Sequence, residues 1–128
     1  GIEIGTTEIN CDDPGKDDLL FGNLPGKFKV HAFHSQTVIQ LPKSAVVIAK
    51  NEFEPHHAFR IGPCAWGVQF HPEADISILT AYIENLTQAV IDSGQDPLFL
   101  LDQAAETPVA HELLSRFGAM ASAAGVIQ

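Results

Sequence analysis

The first 73 residues carry the alternation of polar and apolar positions that is typical of β-strands. The segments with this pattern are 1–9, 27–33, 45–49, 58–61 and 65–70. The second of them, Lys-Phe-Lys-Val-His-Ala-Phe, has the period of two that a half-buried strand shows, whereas the third is a short β-branched run typical of a buried strand. The last two flank Gly62-Pro63 and therefore predict a hairpin.

After residue 73 the apolar positions recur at intervals of three and four, which is the pattern of an amphipathic helix. They are Ile76, Leu79, Tyr82, Ile83, Leu86 and Val90. Asp75 can cap this helix and Gly94 can end it. Start signals of two further helices follow at Asp96-Pro97 and Thr107-Pro108. We expect the last helix to end before Gly118.

Strands followed by helices predict an α/β or α+β arrangement in three layers. A chain of 128 residues has the size of one domain, with a β-rich part over 1–73 and a helical tail over 74–128. Sixteen acidic against seven basic residues give a net charge of −9, which disfavours nucleic acid as a partner. No apolar run approaches the ~18 residues that span a membrane, and no signal segment opens the sequence, so we expect a cytoplasmic protein.

The sequence 65–73, Ala-Trp-Gly-Val-Gln-Phe-His-Pro-Glu, is an apolar strand that ends in a histidine and a glutamate. His71 can take up a proton near neutral pH, and Glu73 is close enough to orient it. A structural role for His71 is the alternative, because a histidine at a strand end is often only hydrogen-bonded. A zinc deaminase would need a PCxxC motif downstream and a serine hydrolase a GxSxG elbow, and the sequence contains neither.

This motif resembles the histidine–glutamate signature of the class I glutamine amidotransferases, and other segments match that family in the same order. They are Glu3-Ile4-Gly5, Asp18-Leu19-Leu20-Phe21, Leu24-Pro25, Phe33-His34-Ser35-Gln36-Thr37-Val38, Leu41-Pro42 and Ala58-Phe59-Arg60-Ile61-Gly62. The resemblance covers residues 1–73 and is greatest to GMP synthase-like domains of the stand-alone type. It implies a three-layer, flavodoxin-like α/β fold and hydrolysis of glutamine to glutamate and ammonia by a Cys-His-Glu triad.

The resemblance also implies roles for individual residues. His71 would be the general base and Glu73 the group that orients it. Ser35, Gln36 and His34 would lie in the loop that contacts the glutamine, although a turn-stabilising His34 is an equal alternative. Gln36 stands where GMP synthases usually carry an acidic residue. The resemblance implies no cofactor, and a synthase domain or subunit as the partner that accepts the ammonia.

The cysteine of the triad is not found where the family would place it. Cys11 lies beside acidic residues and Cys64 follows a proline in a turn, and neither has the glycine-flanked elbow that activates the family's thiol. We therefore expect the chain to be the C-terminal part of the family domain, without its nucleophile half, and to be inactive alone. An exposed sheet edge would then favour a homodimer.

Two other functions remain open at the level of sequence: a non-catalytic amidotransferase-like subunit that binds a partner, and a γ-glutamyl hydrolase or peptidase that uses the same triad. A metal site is not expected, because His56 and His57 point to opposite faces of an extended chain and no third ligand has suitable spacing. Both are interpreted as surface residues. Arg60 is expected to pair with a carboxylate, and Trp66 to lie in the core.

Overall fold

The computed structural model describes residues 2–11, 17–34 and 40–123. Its strands are β1 (Glu3–Cys11), β2 (Lys27–His34), β3 (Ala45–Lys50), β4 (Ala58–Ile61) and β5 (Ala65–Val68). Its helices are α1 (Ile76–Asn85), α2 (Thr87–Asp92), α3 (Pro97–Asp102) and α4 (Pro108–Ala123). All the strand segments predicted from the sequence are confirmed, with ends that move by at most two residues.

The strands form one sheet in the order β2-β1-β3-β4-β5, and each neighbouring pair is antiparallel. In the longest pairing Glu3 lies opposite His34 and Thr6 lies opposite His31. Directly opposed residues share a face, and successive residues along a strand point to opposite faces. The register therefore places Glu3 and His34 on one face of the sheet and Thr6 and His31 on the other.

Two apolar clusters lie on these two faces. The first contains Ile9, Phe28 and Val30, together with residues from α4 and from the segment before β2. The second is built around Ile4 and consists mostly of residues from α1, α2 and α3. Ile4 and Ile9 are an odd number of residues apart on β1, so their side chains point to opposite faces of the sheet. Helices and connecting segments therefore cover the sheet on both sides.

Hydrogen bonds of Asp18 connect the segment before β2 to the sheet. Its carboxylate is buried and accepts hydrogen bonds from the backbone N–H groups of Leu20 and Phe21. The Nη1 of Arg60 donates to it at 2.6 Å and the indole Nε1 of Trp66 at 3.0 Å. The prediction of a carboxylate partner for Arg60 is confirmed, and Trp66 packs half-buried against the first cluster.

The helical predictions needed two corrections. The first helix is capped by the side chain of Asp75 as expected, but it ends at Asn85 and a second begins at Thr87. At this break Leu86 leaves the helical conformation, and the hydroxyl of Thr87 donates to backbone carbonyls of the preceding turn. The last helix continues through Gly118, because Met120 and Ala121 extend its buried face.

In the described part of the chain, no helix combines the length and the apolar character that crossing a membrane requires.

Candidate active site

His71 and Glu73 form a hydrogen-bonded pair just beyond the end of β5. The backbone N–H of His71 donates to the carbonyl of His31 at 2.9 Å, which fixes the histidine to β2. Its ring Nδ1 lies 2.6 Å from Oε1 of Glu73. Both side chains are partly exposed, so the pair is accessible from solvent.

The pair determines which ring nitrogen of His71 carries a proton. Burial is the largest single influence and raises the pKa of Glu73, but the hydrogen bond from His71, a backbone hydrogen bond and the charge of His71 together outweigh it, and the pKa lies below the ordinary 4.5. Glu73 is therefore ionised at neutral pH, and a carboxylate only accepts hydrogen bonds. Nδ1 of His71 must donate, which leaves Nε2 of the neutral ring free of a proton. A nitrogen in this state can accept a proton from a nucleophile.

Two aromatic rings hold the imidazole of His71 in place. The ring of Phe33 stacks on it with centroids 4.1 Å apart and planes inclined by 21°. The Phe33 ring also stacks on the ring of Tyr82, with centroids 4.2 Å apart and planes inclined by 15°. Phe33 comes from β2 and Tyr82 from α1, so two elements of the fold restrict the ring that Glu73 also orients.

A second polar cluster lies at the start of β1. Oε1 of Glu3 accepts from Nε2 of His34 at 2.8 Å and from Nε2 of His57 at 2.9 Å. Its Oε2 accepts from Nδ2 of Asn51 at 2.7 Å. Burial is the largest single influence and raises the pKa of Glu3, but the hydrogen bonds from His57, Asn51 and His34 together with the charge of His57 outweigh it, and the pKa lies below 4.5.

The placement of His57 corrects the sequence interpretation. His57 was expected on the surface, but its side chain is fully buried, whereas that of the neighbouring His56 is only partly covered. His56 and His57 lie in the turn before β4 and not in the extended strand that the interpretation assumed, and the side chain of His57 points to Glu3. The signal that could have identified this cluster is Glu3 itself, a charged residue at an inward position of an alternating strand.

The other residues singled out from the sequence lie apart from the His71–Glu73 pair or outside the described ranges. His34 ends β2 with its ring on Glu3, and Ser35 and Gln36 belong to residues 35–39, which the structure does not describe. Cys11 packs against the first apolar cluster, and Cys64 is exposed in the turn between β4 and β5.

Comparison with known proteins gives the family. The family model "Glutamine amidotransferase class-I" matches residues 2–89, which is more than half of the chain. The chain therefore belongs to the class I glutamine amidotransferases, as the resemblance implied. The matched stretch includes both His71 and Glu73.

Among curated proteins the chain is similar to glutamine-hydrolysing GMP synthases. It is 43% identical over 72 residues to that of Porphyromonas gingivalis, which is 56% of this chain and 14% of the relative. It is 37% identical over 71 residues to that of Aeropyrum pernix, covering 56% of this chain and 13% of the relative. The chain thus spans about one seventh of the length of these relatives.

Solved structures confirm the fold. A glutamine amidotransferase from Thermotoga maritima superimposes with a TM-score of 0.69 at 26% identity, covering 91% of this chain and 49% of that one. A glutamine amidotransferase from Methylobacillus flagellatus gives a TM-score of 0.64 at 17% identity, covering 91% and 50%. The elements described above are part of the three-layer, flavodoxin-like α/β fold of this family, and the chain spans about half of each neighbour.

Proposed function

We propose that this chain supplies the histidine and the glutamate of a glutamine-hydrolysing site. The observation that carries the proposal is the 2.6 Å contact between Nδ1 of His71 and Oε1 of Glu73. It leaves Nε2 as a proton acceptor, at the end of a strand inside the stretch that matches the family. The products are glutamate and ammonia, and the relatives' names, which specify glutamine hydrolysis, support this substrate.

In the proposed reaction His71 takes the proton of a cysteine thiol, and the thiolate attacks the side-chain amide carbon of glutamine. His71 then returns the proton to the nitrogen as the C–N bond breaks, so that ammonia leaves and a thioester remains. Water, deprotonated by the same ring, hydrolyses the thioester to glutamate and the free thiol. Glu73 holds the ring in its Nδ1–H tautomer and stabilises the imidazolium that forms at each proton transfer.

We assign the cysteine to the half of the family domain that this sequence does not include, and the chain to its C-terminal part. The support is that the chain spans 49% of the Thermotoga maritima structure and that neither Cys11 nor Cys64 lies in a glycine-flanked elbow. His34, Ser35 and Gln36 are proposed to form the glutamine-contacting segment, with the ring of His34 anchored on Glu3. A synthase domain or subunit would accept the ammonia.

The test is a glutaminase assay on the longer protein that contains the elbow cysteine. The His71→Ala variant should lose turnover by about 10²- to 10⁴-fold, which is the usual contribution of a general base. The fold should persist, because the backbone hydrogen bond to His31 does not need the ring. His111→Ala is the matched control, since it removes an exposed histidine on α4. Turnover of the His71→Ala variant within threefold of the control would reject the assignment of His71 as the base.

A further inference from the structure

Three ligand groups of the second polar cluster converge on one point. One carboxylate oxygen of Glu3 and one ring nitrogen each of His34 and His57 all lie within 4.8 Å of one another. The sequence offered no third ligand next to His56 and His57, but the fold brings β1 and the end of β2 to the residue that precedes β4. Two imidazoles and one carboxylate are a ligand set that zinc accepts, with a fourth position left for water.

We propose that Glu3, His34 and His57 bind a single divalent transition-metal ion of the zinc type. Zinc bonds to nitrogen and oxygen are ~2.0–2.2 Å long, so tetrahedral ligand atoms lie roughly 3.3 Å apart. Oε1 of Glu3 is now 2.8 Å and 2.9 Å from the two Nε2 atoms. Each Nε2 would therefore have to move back by roughly half an ångström to take up zinc geometry.

Asn51 orients the carboxylate from the outer shell. Its Nδ2 donates to Oε2 of Glu3 at 2.7 Å, and its own Oδ1 accepts from the backbone N–H of Glu54 at 2.7 Å. The amide is thus fixed at both ends, so that the Oε1 atom of Glu3 is held towards the two histidines. Outer-shell groups that hold a ligand in this way are a regular part of protein metal sites.

An open cleft reaches the Glu3 side of this cluster. Its volume is about 450 Å³, and Glu3 and Asn51 line it together with Glu8, Glu52 and Lys27. Three carboxylates against one ammonium group make the cleft attractive to a cation, and the formal charge of the whole chain, −9, adds to this.

Metal binding requires a change of tautomer at both histidines. Without metal each Nε2 carries the proton that it donates to Glu3, whereas a coordinating Nε2 carries none, so the proton must move to Nδ1. Nδ1 of His57 is buried and has no hydrogen-bond partner among the described residues. We therefore expect weaker binding than in a closed structural site, by about 10- to 100-fold, because an unsatisfied buried donor is costly.

The experiment is a titration of the metal-free protein with Zn²⁺ alone. The expected result is saturable uptake of one ion per chain at concentrations on the order of micromolar. Long-range ¹H–¹⁵N spectra of the same samples should show His34 and His57 changing to the Nδ1–H tautomer while His56 does not. This readout needs no variant, and unchanged tautomers at saturation would overturn the proposal.

Variants distinguish metal coordination by His57 from its hydrogen bond to Glu3. His57→Gln keeps an N–H donor for Glu3 but replaces imidazole with an amide that binds zinc poorly. It should weaken uptake by about 100-fold or more, since loss of an outer-shell partner alone costs 10- to 100-fold. His56→Gln is the matched control and should bind within about threefold of the unsubstituted protein. Equal uptake by the two variants would identify adventitious zinc only and reject the site.

Discussion

The chemistry proposed for His71 depends on the ionised carboxylate of Glu73. Glu73→Gln keeps a side chain of the same shape, and its amide oxygen can still accept from Nδ1. The variant removes the negative charge that stabilises the imidazolium, and a hydrogen bond to a charged group contributes about 1.5–3 kcal/mol. We expect turnover of the longer protein to fall by about 10- to 100-fold, less than for His71→Ala. Steady-state glutaminase kinetics check this order, and a larger loss for Glu73→Gln would contradict it.

His31, on β2, is a second buried histidine. Its Nδ1 lies 3.1 Å from the hydroxyl of Thr6, which also accepts a hydrogen bond from the backbone N–H of Ala105 at 3.1 Å. Burial lowers the pKa of His31 below 6.5, the charge of His111 lowers it further, and Asp75 acts in the opposite direction.

This depressed pKa predicts loss of stability in mild acid. Below pH 6.5 the unfolded chain takes up a proton at His31 that the folded chain does not. The contribution of unprotonated His31 to the free energy of unfolding is therefore complete above that pH and declines as the pH falls towards the folded pKa. The slope is at most about 1.4 kcal/mol per pH unit for one proton. Urea unfolding between pH 7 and pH 5 measures it, and His31→Gln should reduce the slope while His56→Gln should not.

At the scale of elements, the hairpin of β4 and β5 depends on a residue without a side chain. Gly67 lies opposite Phe59 in the register, and a Cβ at Gly67 would come within 2.4 Å of the Phe59 ring. Gly67→Ala should therefore destabilise the fold by about 1–3 kcal/mol, as overpacking does. The double variant with Phe59→Leu should recover part of this loss because the ring is then absent. Thermal unfolding of the two variants and of Phe59→Leu alone checks the coupling.

The ends of the helices and strands show what a local sequence pattern can predict. The bounds of β4 were predicted without error, and the caps Asp75 and Asp96 begin their helices as expected. These features depend on residues within one turn or one strand. The break at Leu86 was missed because the apolar spacing continues across it, and the passage of α4 through Gly118 was missed because its buried face outweighs the low helix propensity of glycine.

At the scale of the whole molecule, the two polar clusters differ in how far a sequence can reveal them. His71 and Glu73 are two residues apart, so their contact could be expected from the motif alone. The contact between Glu3 and His57 joins residues 54 positions apart, and only the pairing of the strands brings them together. A sequence pattern does not specify such a contact, which is why His57 was assigned to the surface.

The proposal that the cysteine of the triad lies in another part of the family domain gives the last prediction. Because His71 and Glu73 supply a base but no activated thiol, the 128-residue chain should release no ammonia from glutamine, whereas the longer protein with the elbow cysteine should. A coupled assay for ammonia on both proteins, at equal concentration of folded chain, measures the difference. If the shorter chain is active, a Cys11→Ser and Cys64→Ser double variant decides the cause. Loss of activity in that variant would mean that one of these thiols is the nucleophile, and the assignment of the cysteine to another part of the domain would be wrong.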